Sequence, residues 1–343
     1  MVKIIKTPDR QNPMLNNLKL IERLEPSMRY DGKTDFSLWQ RKAKEKLSEL
    51  LGLDKMQRCE SEFHIEYDKD FEDYREIRFT IQSEKGYYFP SVLRIPKKEG
   101  KIPLVVCLQG HSTGFHISLG KTVFYGDKGT ISGGDRDFAV RVIKEGFAAL
   151  AIEQRNFGEC GGLEKGGPQC YVSAMAALLQ GRTTIGERVW DISRAIDAVT
   201  ANFDMLDADA VMCMGNSGGG TATFYAACID ERIKLAMPSC AVCTYKASIA
   251  AMQHCACNFV PHIAEYFDMG DLAGIIAPRK LVIVNGRNDD IFPHHGVLES
   301  YEIAKGLYRA AGAENSCALV TGSEGHRFYA DLGWSKAHEL MEL

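Results

Sequence analysis

One segment limits the fold more than any other. From Ala210 to Thr223 the chain reads A-V-M-C-M-G-N-S-G-G-G-T-A-T, an apolar strand-like run that turns through Gly215-Asn216-Ser217-Gly218-Gly219 directly into a helix-like stretch. A serine on so tight a strand-to-helix turn needs small residues two places before and two places after it, and Gly215 and Gly219 fill both. A strand that hands its last residue to a helix N-terminus is the unit of α/β architecture. The plainer alternative is a glycine-rich turn that carries a serine without using it.

The surrounding rhythm supports an α/β chain. After Pro103, short apolar runs at Leu104–Leu108, Phe147–Ile152, Ala210–Met214, Leu235–Pro238, Leu281–Val284 and Cys317–Val320 read as buried strands. Helical stretches lie between them, among them Asp137–Glu145, Glu187–Asn202, Thr221–Ile229 and Val297–Ala311. Buried strands alternating with helices imply a mainly parallel sheet covered on both faces, a three-layer sandwich. Upstream, F-H-I-E-Y, I-R-F-T-I and Y-Y-F-P-S-V-L-R-I-P alternate in the manner of antiparallel strands.

The expected domain layout is an N-terminal helical extension over 1–59 and an α/β domain over 60–343. In the extension, Phe36–Leu51 sets Trp39, Ala43, Leu47 and Leu50 on one stripe with Gly52 as the stop. That helix either lies across the main domain or serves as an arm to a second copy in a homo-oligomer. Two insertions break the rhythm, a glycine-rich segment at 112–134 and a long connection at 240–275 rich in Cys, His and aromatics. Such loops shape substrate pockets or decorate the surface.

Charge and cysteine usage narrow the setting. A net charge of −4 with no polybasic run argues against nucleic acid or an anionic membrane as partner. The amino-terminal residues hold no apolar stretch of signal-peptide length, and no window approaches a membrane span. Eleven cysteines, an odd count, suggest free thiols in a reducing compartment, so a cytoplasmic location is expected. Cys240-x-x-Cys243 and Cys255-x-Cys257, with His254 and His262 nearby, invite a zinc reading. The spacing is loose for a zinc site, and cysteine is common in cores; the expectation is no metal and no cofactor.

Serine is a poor nucleophile until a base takes its proton, and that base needs an orienting carboxylate. In this architecture the order is Ser, acid, His, each following a later strand. The run Lys280 to Pro293 (K-L-V-I-V-N-G-R-N-D-D-I-F-P) is a strand ending in a carboxylate loop, and Ser316 to His326 (S-C-A-L-V-T-G-S-E-G-H) ends in a histidine. Asp289 is preferred as the acid, with Asp290 the adjacent alternative. His326 is the candidate base. His294 and His295 open a helix and read as solvent-facing or pocket-rim residues. Oxyanion donors are expected from the N–H of Gly218, at a helix N-terminus, and from the turn Gln109-Gly110-His111. That turn resembles the H-G-x turn of many esterases with Gln in place of the His, and the resemblance implies the His111 N–H as the second donor, with its imidazole either lining the pocket or turned to solvent. Arg155, after the strand Phe147–Ile152, either clamps a substrate or forms a structural ion pair, with Asp191 as partner.

Q-G-H, E-Q-R-N-F-G-E, G-N-S-G-G, D-L-A-G-I-I-A-P-R-K-L-V-I-V-N-G-R-N-D-D-I-F-P and the late G-H together resemble the dienelactone-hydrolase and acetyl-xylan-esterase-like branch of the α/β-hydrolases, over roughly residues 60 to 343. The resemblance implies an α/β-hydrolase fold and hydrolysis of small acyl esters, often acetyl groups on carbohydrate, without a cofactor. The chain departs from the pattern in three places. Arg155-Asn156-Phe157 stands where acetyl-xylan and cephalosporin deacetylases carry R-G-Q, Gly218 stands where they carry Gln beside the serine, and Ser217 replaces the cysteine of dienelactone hydrolases. The expected activity is therefore a serine ester hydrolase acting on a small-molecule acyl ester. The competing readings are a peptidase or amidase with the same residues and a non-catalytic binding protein on a hydrolase scaffold.

Overall fold

The computed structural model describes residues 9–161 and 168–342; the first eight residues of the expected 1–59 extension lie outside them. Nine strands form one sheet: β1 (Phe63–Asp70), β2 (Tyr74–Glu84), β3 (Tyr87–Pro96), β4 (Ile102–Leu108), β5 (Ala148–Ile152), β6 (Leu206–Asn216), β7 (Ile233–Ser239), β8 (Lys280–Gly286) and β9 (Cys317–Gly322). Their spatial order is β1-β2-β3-β5-β4-β6-β7-β8-β9. The first three strands pair antiparallel and join β5 antiparallel, and from β5 to β9 every pairing is parallel. This is the mainly parallel sheet with antiparallel N-terminal strands anticipated from the strand pattern, in the α/β-hydrolase arrangement that the resemblance implied.

The parallel strands are apolar along their length because helices cover both faces. Val106 and Leu108 of β4 join the larger core with the helices Thr184–Asn202 and Gly218–Ile229, while Val105 and Cys107 face a second core with Phe138 and Trp334. Alternate residues of one strand thus fill two separate layers.

The helix Phe36–Leu51 packs on its own chain. Asp35 caps its start by accepting from the Leu38 N–H, and Gly52 ends it at φ 73°, a conformation suited to glycine. The buried stripe is Trp39, Ala43, Leu47 and Leu51, all part of the larger core; Leu50, expected on that face, is only half-buried. A 3.6-residue period carries the inner face on by four from Leu47, which selects Leu51. The docking is close. A Cβ on Gly274 would sit 2.6 Å from the Trp39 ring, and one on Gly186 would strike the Leu51 carbonyl.

Both insertions carry helices that the sequence reading left as loops. Asp127–Gly134 forms within 112–134, and Ile263–Tyr266 and Met269–Ile276 form within 240–275. The last starts with a reciprocal cap, in which Asp268 and Asp271 each accept a backbone N–H. Among the described residues no helix is long and apolar enough to cross a membrane.

Candidate active site

The site assembles where β4, β6, β7, β8 and β9 end. β6 delivers Ser217 to the N-cap of the helix Gly218–Ile229 at φ 57° and ψ −124°, a backbone that non-glycine residues rarely hold. The chain tolerates it because neighbouring glycines allow close approach. A Cβ on Gly215 would lie 2.6 Å from the Leu108 carbonyl oxygen, and one on Gly219 would strike that same oxygen. Ser217 donates its N–H to the Ser239 carbonyl at 2.9 Å, which ties the turn to the end of β7.

β8 and β9 bring the next two residues together. Asp289 Oδ2 lies 2.9 Å from His326 Nδ1, and Asp289 Oδ1 accepts the N–H groups of Ile291 (2.9 Å) and Phe292 (3.1 Å). Burial raises the Asp289 pKa, but the His326 bond and charge and these two N–H groups outweigh it, leaving the carboxyl below its ordinary value. An ionised carboxylate only accepts, so Nδ1 of His326 carries the shared proton. In the neutral ring this leaves Nε2 as the acceptor. Asp290, the alternative acid, is exposed. The Phe292 ring stacks on His326 at 6.0 Å between centroids. Ser239 then links this loop to the serine turn: its hydroxyl donates to the Arg327 carbonyl at 3.2 Å, one residue beyond His326.

On the other side of Ser217 lies the turn after β4. A Cβ on Gly110 would stand 2.8 Å from Ser217 Cβ, and one on Gly218 would stand 2.9 Å from two atoms of the His111 ring. His111 therefore abuts the helix N-terminus, whose first N–H groups have no intrahelical acceptor. Buried polar groups hold this turn. Gln109 Nε2 donates to Ser118 Oγ (2.8 Å) and the Arg136 carbonyl (2.6 Å), and Gln154 donates to the Gln109 carbonyl. Glu153 accepts the N–H groups of Phe115 (3.2 Å) and Glu159 (3.1 Å), and its burial pushes the carboxyl up to about 8.

Arg155 is fully engaged. Its Nε lies 2.7 Å from Asp191 Oδ2 and its Nη2 lies 2.9 Å from Asp191 Oδ1, while Glu84 Oε1 sits at 2.6 Å and Glu187 at 3.5 Å. The bidentate pair is buried and its guanidinium stacks over Tyr87.

Several residues here entered the sequence reading only through the zinc alternative, or not at all. His254 packs edge-on against Phe292 at 5.5 Å between ring centroids, and its pKa is lowered by burial first, then by the charges of His111 and His326. Cys240 lies with Asp289 and His326, its thiol pushed up to about 12 by burial, and donates to the Arg327 carbonyl. The Cys-x-x-Cys and Cys-x-Cys motifs separate. Cys243 donates to the Pro293 carbonyl, whereas Cys255 and Cys257 meet His111 and Cys170. His262 pairs with Glu265 away from both. Cys170 carries no local sequence signal; only the fold brings it there.

No protein-family model matches the chain. It is 27% identical over 245 residues to YtaP of Bacillus subtilis (strain 168), provisionally named a hydrolase, covering 69% of this chain and 77% of that protein. A Bacteroides fragilis NCTC 9343 protein, provisionally described as an acetyl xylan esterase, superposes with a TM-score of 0.76 at 13% identity, covering 98% of this chain and 91% of that one. A glucuronoyl esterase from Solibacter usitatus superposes with a TM-score of 0.67 at 12% identity, covering 93% and 97%. The chain is an α/β-hydrolase by fold, in the form that these esterase structures share.

Proposed function

We propose that the protein is a serine ester hydrolase that removes small acyl groups, acetyl above all, from carbohydrate or related small molecules. The observation that carries this reading is the Asp289–His326 pair at 2.9 Å, positioned on the loops that follow β8 and β9, with Ser217 on its strained turn at the end of β6. The likeness to esterase structures adds support.

In this reading Ser217 attacks the ester carbonyl while His326 Nε2 takes its proton. Asp289 holds the ring in the tautomer that permits this and stabilises the imidazolium that forms. The N–H groups of Gly218 and His111 receive the oxyanion, aided by the positive end of the helix Gly218–Ile229. His326 then protonates the departing alcohol. A water deprotonated by the same ring attacks the acyl-enzyme, the bond to Ser217 breaks, and the acid leaves. Arg155 has no part in this scheme: its guanidinium already meets Asp191, Glu84 and Glu187.

Ser217→Ala should lower hydrolysis of p-nitrophenyl acetate by at least about 10⁴-fold with the fold intact by circular dichroism. Equal rates in parent and variant would refute the proposal. A panel of acetylated sugars, methyl glucuronate and aminoacyl amides then separates acetyl esterase, uronic-ester and amidase specificities, with the acetylated sugars expected to be turned over fastest.

A further inference from the structure

We propose that His111, Cys170, Cys255 and Cys257 form a zinc site that locks the turn after β4 against the insertions beside it, although the sequence alone suggested no metal. One ligand atom from each residue lies within 4.8 Å of all the others, and Cys170 and Cys257 are buried. A tetrahedral zinc with Zn–S bonds of about 2.3 Å sets its ligand atoms about 3.8 Å apart. Contracting the cluster by roughly an ångström therefore completes it. Three thiolates and one imidazole are a common structural set for this ion, and its softness suits sulfur.

A second observation concerns a charged residue beside those four. Arg188 is 1% exposed, and among the described residues no carboxylate lies within ion-pair distance of it. Its guanidinium donates instead to Cys257 Sγ at 3.4 Å, to Cys170 Sγ at 3.7 Å and to the Arg155 carbonyl at 2.9 Å. A buried cation without an anion is costly. Zinc bound by three thiolates and neutral His111 carries a net charge of −1, which Arg188 balances. Binding displaces three thiol protons to solvent; nothing is oxidised or reduced.

The ligands come from three separate stretches of the chain that pack together around Phe157. His111 follows β4, Cys170 opens the helix Cys170–Leu179, and Cys255 and Cys257 flank Ala256 in the 240–275 insertion. His111 Nε2 is 3.2 Å from Cys257 Sγ, and the same ring abuts Gly218. The metal thus fixes the position of the His111 turn beside Ser217.

The test is metal analysis of the full-length protein, purified with a phosphine reductant, together with cobalt(II) titration of the zinc-stripped protein. Stoichiometric zinc and the charge-transfer and visible bands of a tetrahedral thiolate–cobalt centre are expected. Cys170→Ser and Cys255→Ser should each lower bound zinc at least about tenfold, and Arg188→Gln should weaken zinc binding by about 10–100-fold. Cys243→Ser, outside the cluster, should keep the parent's zinc. Because Cys257→Ser risks misfolding, the cobalt spectrum of the parent protein carries the test without it. Protein that holds no zinc and gives no such cobalt spectrum overturns the proposal, as does full zinc retention in both serine variants. A disulfide between two of the three cysteines in the metal-free, natively isolated protein also overturns it.

Discussion

The fold secures two histidines of the candidate site, His326 and His111, by different means. His326 is held by a carboxylate and two adjacent parallel strands: Asp289 follows β8, His326 follows β9, and their 2.9 Å bond spans neighbouring loops. His111 meets sulfur from the helix Cys170–Leu179 and from the 240–275 insertion, with the buried Arg188 beside that sulfur. The first arrangement comes with the sheet itself, so any chain that builds β8 and β9 in register has it nearly in place. The second depends on long-range packing of segments outside the sheet. We read the first as the part that does chemistry and the second as the part that positions an oxyanion donor.

The sharpest way to break this contrast is to remove the carboxylate. Asp289→Asn should lower kcat by about 10⁴-fold, because an amide favours the wrong imidazole tautomer. Asp290→Asn, on the exposed neighbour, should change kcat by less than about twofold. A larger loss at Asp290 would move the acid by one residue and remove the stated reason for the His326 geometry.

A smaller effect is expected on the other side. Gly218→Ala would put a Cβ 2.9 Å from the His111 ring. The ring and its turn must shift, so kcat should fall by about 10²-fold, the scale of a misplaced oxyanion donor, with KM little changed. An unaltered kcat would show that His111 can yield without consequence, and the positioning role would fall.

The smallest effect concerns stability and its pH dependence. Glu153 lies under the His111 side, accepting from Phe115 and Glu159, with its carboxyl raised to about 8 by burial. A raised carboxyl binds its proton more tightly in the folded chain than in the unfolded one. Its contribution is therefore full below the ordinary carboxylate range and is lost as pH rises toward about 8. Glu153→Gln should remove that decline, flattening stability between about pH 5 and 8 by up to about 1.4 kcal/mol per pH unit relative to the parent. Parallel urea-derived stability curves for the two proteins would contradict the assignment.

The same contrast explains what the sequence disclosed. The serine turn was legible because its backbone demands glycine at fixed offsets, and Asp289 and His326 because each follows an apolar run that can only be a strand. Local rules reach that far. Leu51 displaced Leu50 on the buried stripe because the step of four that runs through Trp39, Ala43 and Leu47 continues to it. The helix Asp127–Gly134 was hidden by three glycines, which oppose helix formation and are overridden by tertiary contacts. The sulfur cluster was illegible for a deeper reason. Cys255-x-Cys257 was visible as a motif, yet its partners are 85 residues or more before it in the chain. No periodicity links Cys170 or His111 to that insertion, and only the packed fold does.

The most direct test of the account is where a serine-directed fluorophosphonate attaches. Incubated with the protein and followed by peptide mapping, it should leave one stoichiometric adduct on Ser217, lost in His326→Ala. An unlabelled Ser217 in a folded protein that still hydrolyses p-nitrophenyl acetate, or an adduct on another residue, would contradict it.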